Sequence, residues 1–163
     1  MTYLGVDQSL NATGICVISD EGSVLRLWTV EHASGGASDV KLLAIRRAVI
    51  SALSEVRFAA YEGYAYDSIH RAFDLGEVAG TVKVVLFEHE VPYVVVPPVT
   101  LKQFATGTAH APKEEMIKAA KALGAEPGDD NQADALFLAR VARAMALGPD
   151  RKRCEMEAIH SLK

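Results

Sequence analysis

Tyr3-Leu4-Gly5-Val6-Asp7-Gln8-Ser9 opens the chain with a short apolar run that stops on an acid. A run of this length and composition reads as a buried strand, and its polar end leaves the Asp7 carboxylate at the strand's C-terminal edge. Thr13 to Ser19 follows as a second strand across an Asn11-Ala12 turn region. Ser23 to Val30 is a third, entered through the turn signal Asp20-Glu21-Gly22. Three strands joined by short turns make an antiparallel meander. Residues 32–38 read as a flexible loop.

From Ser38, a suitable N-cap, the period changes: Leu42, Ile45, Val49 and Ala52 recur at helical spacing. Phe58 to Tyr61 is a fourth strand ending at Glu62, and residues 68–88 are a second helix. Along one side of that helix lie Ala72, Leu75, Ala79, Val82 and Leu86, which serve the core, an interface or both. Tyr93 to Val96 is a fifth strand between Pro92 and Pro97-Pro98, because proline cannot donate to a central ladder. Pro112-Lys113-Glu114-Glu115 places proline and acids at the start of a helix that stops at Gly124. A last helix runs from near Asp129 to about Leu147. The order is three hairpin-linked strands, helix, strand, helix, strand and two helices, an α/β pattern. A right-handed crossover sets the fourth strand parallel to and beside the first.

The 163 residues fit one domain, residues 1–163, with 50% hydrophobic and 23% charged residues giving it a real core. No apolar run is long enough to span a bilayer, and the chain does not open like a secretory signal. Cys16 and Cys154 stand far apart without metal-type spacing. The cytoplasm is the expected compartment and no membrane partner is expected. A net charge of −4 argues against a nucleic-acid partner. The distribution is uneven, however, since residues 98–163 hold 10 of the 17 Lys and Arg residues against 9 acids. If four acids are metal ligands, two divalent ions bring −4 to 0.

The acids carry the chemistry. Asp7 and Glu62 each end a strand, and parallel neighbours bring two such ends within a few ångströms, at the edge where open α/β sheets bind ligands. Asp130 and Asp134, four residues apart, share a helical face ahead of the apolar surface Leu136, Phe137, Ala139 and Ala142. Docking that surface on the sheet drives Asp134 towards the strand acids. Taken singly, each acid is more often a turn residue or a cap, Asp130 in particular. Together, four converging carboxylates repel one another unless a divalent ion neutralises them. Oxygen donors alone suit Mg²⁺ or Mn²⁺. Two ions about 4 Å apart would activate water and stabilise a phosphodiester's leaving oxygen.

Gly5-Val6-Asp7-Gln8-Ser9 with Thr13-Gly14, Tyr61-Glu62-Gly63-Tyr64, and Asp129-Asp130-Asn131-Gln132-Ala133-Asp134-Ala135 together resemble RuvC Holliday-junction resolvases, particularly compact phage-type members. Leu101-Lys102-Gln103-Phe104-Ala105-Thr106-Gly107, then Lys113-Glu114-Glu115, is similar to the same group. The resemblance spans roughly residues 3–145 and lies in the order of the motifs more than in any one. It implies an RNase H-like fold with a five-stranded mixed sheet in the order 3-2-1-4-5. It also implies a homodimer in a bacterial or phage-infected cell, and Mg²⁺-dependent paired nicking of four-way DNA junctions. Asp7, Glu62 and Asp134 match three of the family's acids. The fourth usually stands three residues before the last, which here is Asn131; Asp130, a carboxylate one residue earlier, is assigned instead.

For DNA contacts, Lys102 and Lys113 resemble the family's basic positions near the scissile phosphate. Lys118 and Lys121 follow in the same stretch, and each reads equally as a solvated helix face; of the two, Lys118 is assigned to DNA. Tyr64 and Tyr66, closely following Glu62, read equally as half-buried aromatics covering the second helix and as platforms that stack on splayed bases, worth about 1–3 kcal/mol per base. His70 and Arg71 add phosphate contacts. Arg151-Lys152-Arg153 reads as a solvated basic tail. A sugar-kinase or actin-like ATPase opens with a similar strand, but needs two such domains. An RNase H-like nuclease cutting flaps, forks or RNA–DNA hybrids would use the same centre on another substrate. A DNA-binding module with a decayed site is weaker, because the acids are present.

Overall fold

The computed structural model describes residues 1–9, 11–31, 38–63, 69–148 and 153–162, without the side chains of 38, 69–72 and 153. The elements are β1 (Thr2–Gln8), β2 (Ala12–Ser19), β3 (Val24–Glu31), α1 (Ser38–Ala52), β4 (Val56–Glu62), α2 (Ile69–Glu88), β5 (Tyr93–Val96), α3 (Pro98–Thr106), α4 (Lys113–Ala122), α5 (Asp130–Leu147) and α6 (Arg153–Ser161). The sheet order is β3-β2-β1-β4-β5. The first three strands pair antiparallel, and β4 lies parallel to both β1 and β5. This is the order the resemblance implied.

Strand periodicity sorts the side chains into two cores. Tyr3, Cys16, Ile18 and Ala60 pack with Leu136, Leu138 and Val141 of α5. On the other face Leu4, Val6, Ile15 and Ala59 pack with Ile45 and Val49 of α1 and Val82 and Leu86 of α2. Asp7 and Glu62 stand two residues beyond Gly5 and Ala60, so alternation points both acids to the α5 face.

Glycines let α5 approach. A β-carbon on Gly5 would stand 2.0 Å from Ala135 O and 2.3 Å from Ala139 N, and one on Gly14 would stand 2.1 Å from Asn131 O. The contacts are helix backbone against strand backbone, which only a residue without a side chain permits. Because Gly14 pairs with Asp7 across the hairpin, this contact fixes the start of α5 over the acid.

Two helices exceed the expected order. Pro97-Pro98 stops β5, but Pro98 also begins α3, where its missing N–H costs nothing because the first helical N–H groups have no partner in the helix. Gly107 ends α3 at φ 81, its N–H donating to Gln103 O. Residues 153–161 form α6 against α3: Ala158 and Ile159 are buried, and Cys154 Sγ lies 3.8 Å from Phe104 O. Buried Glu155 stands 3.9 Å from Arg140 of α5, an ionic contact that joins two consecutive helices. Arg151 and Lys152 lie outside the described residues. α4 begins at Lys113, with Pro112 in the N-cap position, one residue earlier than expected.

Candidate metal centre

The parallel register of β1 and β4 pairs Val6 with Tyr61, so Asp7 and Glu62 follow side by side. Gln8 Nε2 donates to Glu62 O at 3.0 Å and ties the two strand ends together. α5 brings Asp134 over them. One carboxylate oxygen from each of Asp7, Glu62 and Asp134 lies within 4.8 Å of the others.

The charge of this cluster is poorly compensated. Burial, then repulsion from Glu62 and Asp134, raises the Asp7 pKa well above the ordinary carboxylate range. The Asp7 and Glu62 carboxyls are close enough to interact directly, which adds to the rise at Asp7. Burial raises Glu62 too, against the lowering effects of its interaction with Asp7 and of Lys102. Burial, with Glu62 and Asp130 adding repulsion, pushes Asp134 up to about 7. Asp134 Oδ1 is buried without a hydrogen-bond partner among the described residues. Three converging hard oxygen donors, their mutual repulsion and an unpartnered buried oxygen suit a divalent cation. The donor set fits the expected Mg²⁺ or Mn²⁺.

Asp130 is held differently. The cap of α5 belongs to Asp129, whose Oδ1 accepts from Gln132 N at 2.7 Å and whose Oδ2 accepts from Thr29 Oγ1 at 2.6 Å. Gln132 reaches back to accept from Gly128 N, a variant of the reciprocal capping box. Asp130, relieved of capping, forms an ion pair with Lys113 and does not belong to the three-carboxylate cluster. Sequence reading missed Asp129, though a D-x-x-Q signature at 129–132 marks it. It also missed the close approach at Gly5 and Gly14.

Lys102, on α3, lies near enough to lower the pKa values of Glu62 and Asp134. Lys118 is exposed on α4, about 140° around the helix from Lys113, and Lys121 is exposed near the helix end. Tyr64 and Tyr66 lie outside the described residues, as do the side chains of His70 and Arg71. On α2, Ala79, Val82 and Leu86 serve the core. The opposite side leaves Phe73, Val84 and Phe87 exposed at 83%, 52% and 79%.

Residues 3–142 match the family of crossover junction endodeoxyribonuclease RuvC. The RuvC of Synechococcus sp. WH7803 is 28% identical over 147 residues, which cover 85% of this chain and 96% of that protein. That of Thermus thermophilus is 28% identical over 151 residues, covering 85% and 91%. A solved Thermus thermophilus RuvC structure aligns with a TM-score of 0.73 at 27% identity, over 85% of this chain and 91% of the other. T. thermophilus RuvC in complex with a Holliday junction substrate gives the same TM-score at 25% identity, over 85% and 90%. The fold is RNase H-like, and the chain belongs to the crossover junction endodeoxyribonuclease RuvC family.

Proposed function

We propose that the protein is a structure-selective endonuclease that resolves four-way DNA junctions by paired nicks leaving 5′-phosphate ends. The observation that carries this reading is the meeting of Asp7, Glu62 and Asp134 at one buried edge, in a chain of this family. These three, with Asp130 as the fourth, are the residues we assign to hold two Mg²⁺ ions, Mn²⁺ substituting. Such ions, when bound, activate water and stabilise the leaving oxygen of the phosphodiester.

The chain's own residues do the rest. β1 and β4 fix Asp7 and Glu62 on a rigid edge, so little reorganisation is needed as charge develops on the phosphate. Lys102 supplies positive charge beside the acids, Lys113 pairs with Asp130 at their flank, and we assign both, with Lys118 further around α4, to phosphate contacts. Tyr64 and Tyr66 are assigned to stacking on splayed bases, and Arg71 to a phosphate. Paired nicks need two centres, and one chain carries one such cluster among its described residues. A homodimer supplies the second, and the exposed stripe Phe73, Val84 and Phe87 on α2 is the surface we assign to it. No helix among the described residues is long and apolar enough to cross a membrane. We place the enzyme in the bacterial cytoplasm.

The test is incubation with Mg²⁺ and labelled four-way junction, flap, plain duplex and RNA–DNA hybrid. Symmetrical nicks in opposite strands of the junction support the reading. Preferential cutting of flaps, forks or hybrids replaces it with that other substrate class.

A further inference from the structure

We infer that Lys113 is a placeholder counter-ion: it holds the Asp130 carboxylate while no divalent cation is bound, and is released towards DNA phosphate when a cation claims that carboxylate. This rests on the metal-centre reading above.

Lys113 is the first residue of α4, where the helix end is already positive and a cation is unfavourable. A partner must offset that, and it is Asp130, 17 residues on and in a different helix. Asp130 does not cap α5, because Asp129 does; its carboxylate is stabilised chiefly by Lys113 and to a lesser degree by the backbone at Asp130 and Asn131. It stands one turn before Asp134, and its charge acts on both Asp134 and Asp7, so it flanks the centre without belonging to it. The ammonium of Lys113 is stabilised chiefly by Asp130, and also by Asp134 and Asp7. Lys113 therefore already answers the charge of three of the four acids, Asp130, Asp134 and Asp7.

The pair is built to exchange. The Lys113 side chain is 75% exposed and that of Asp130 30%, so water screens the attraction and holds it to that of a surface ion pair. A divalent ion offers Asp130 twice the charge from a position shared with three more carboxylates. The lysine displaced there stays beside the centre, where a phosphate is the complementary anion. Metal loading and phosphate capture then become linked steps, and Lys113 opposes the first while serving the second.

Isothermal titration with Mn²⁺ in the absence of DNA tests this on the wild type and on Lys113→Met, Asp130→Asn and the double variant. Lys113→Met is expected to bind Mn²⁺ about two- to fivefold more tightly, the range of a surface ion pair. In the Asp130→Asn background the same lysine change is expected to have no effect, since the two act as one coupled unit. Unchanged affinity in Lys113→Met overturns the inference while the metal centre stands. So does equal tightening in both backgrounds, which is general electrostatics without exchange. A wild type that binds no Mn²⁺ overturns the metal centre itself, and the exchange with it.

Discussion

Replacing Asp134 with asparagine keeps the side chain's size but removes one carboxylate, and in EDTA at neutral pH it should make the fold more stable. Burial and the neighbouring acids take the Asp134 pKa from 3.8 to about 7. At about 1.4 kcal/mol per tenfold in proton affinity, the ionised form costs the fold at most about 4 kcal/mol. Partial exposure to water reduces this to about 2 kcal/mol. A chain of this length changes its Tm by about 2–4 °C per kcal/mol, so Asp134→Asn should melt about 4–8 °C higher at about pH 7.5. The sign follows from linkage: the folded state binds this proton more tightly than the unfolded chain does. Wild-type stability from this group is therefore complete below about pH 4 and is lost as pH rises towards about 7, so the gap between the two proteins should close in acid. Thermal unfolding followed by circular dichroism in EDTA across that range measures it. Excess Mg²⁺ should then raise the wild-type Tm and move the variant less, since only ligands bound by the folded state stabilise it. A variant less stable than wild type in EDTA at about pH 7.5, or a gap that does not change with pH, refutes the reasoning.

Gly14→Ala would place a methyl group 2.1 Å from Asn131 O, forcing the start of α5 off the sheet. Urea denaturation should show a loss of about 3 kcal/mol or more, with weakened Mn²⁺ binding; a neutral substitution would contradict the close approach. Asp129→Ala removes the α5 cap and leaves Thr29 Oγ1 without its acceptor, so about 1–2 kcal/mol should be lost in the same assay. With Asp134 titrating at about 7, protons compete with metal at this ligand. Calorimetric Mn²⁺ affinity should fall by up to about tenfold per pH unit below about 7, and a flat profile would exclude Asp134 as a ligand.

What was readable from the sequence was what neighbouring residues encode. The short apolar runs from Tyr3 to Val6 and from Phe58 to Tyr61 put Asp7 and Glu62 at strand ends, and the crossover rule set those strands side by side. Leu136, Phe137, Ala139 and Ala142 showed how α5 would dock. The rest depended on partners far along the chain. Asp129 and Asp130 are adjacent acids at the start of one helix; the D-x-x-Q spacing marks Asp129 as the cap, but the partners of the two carboxylates come from other elements. Thr29, from β3, receives Asp129, and Lys113, from α4, takes Asp130. α6 is a short helix with a charged start, and local pattern does not show that its Glu155 is buried beside Arg140 of α5. α3 was hidden because the prolines that end β5 also begin a helix.

The central claim, that Asp7 belongs to a metal-dependent nuclease centre and not merely to a strand end, is tested most directly by Asp7→Asn on a labelled four-way junction. With Mg²⁺ the wild type should nick opposite strands. Asp7→Asn should bind the junction in a gel shift with near-wild-type affinity, keep its circular dichroism spectrum, and leave the DNA uncut. Cutting at the wild-type rate would contradict the account, as would loss of fold and binding together, which would make Asp7 a structural residue.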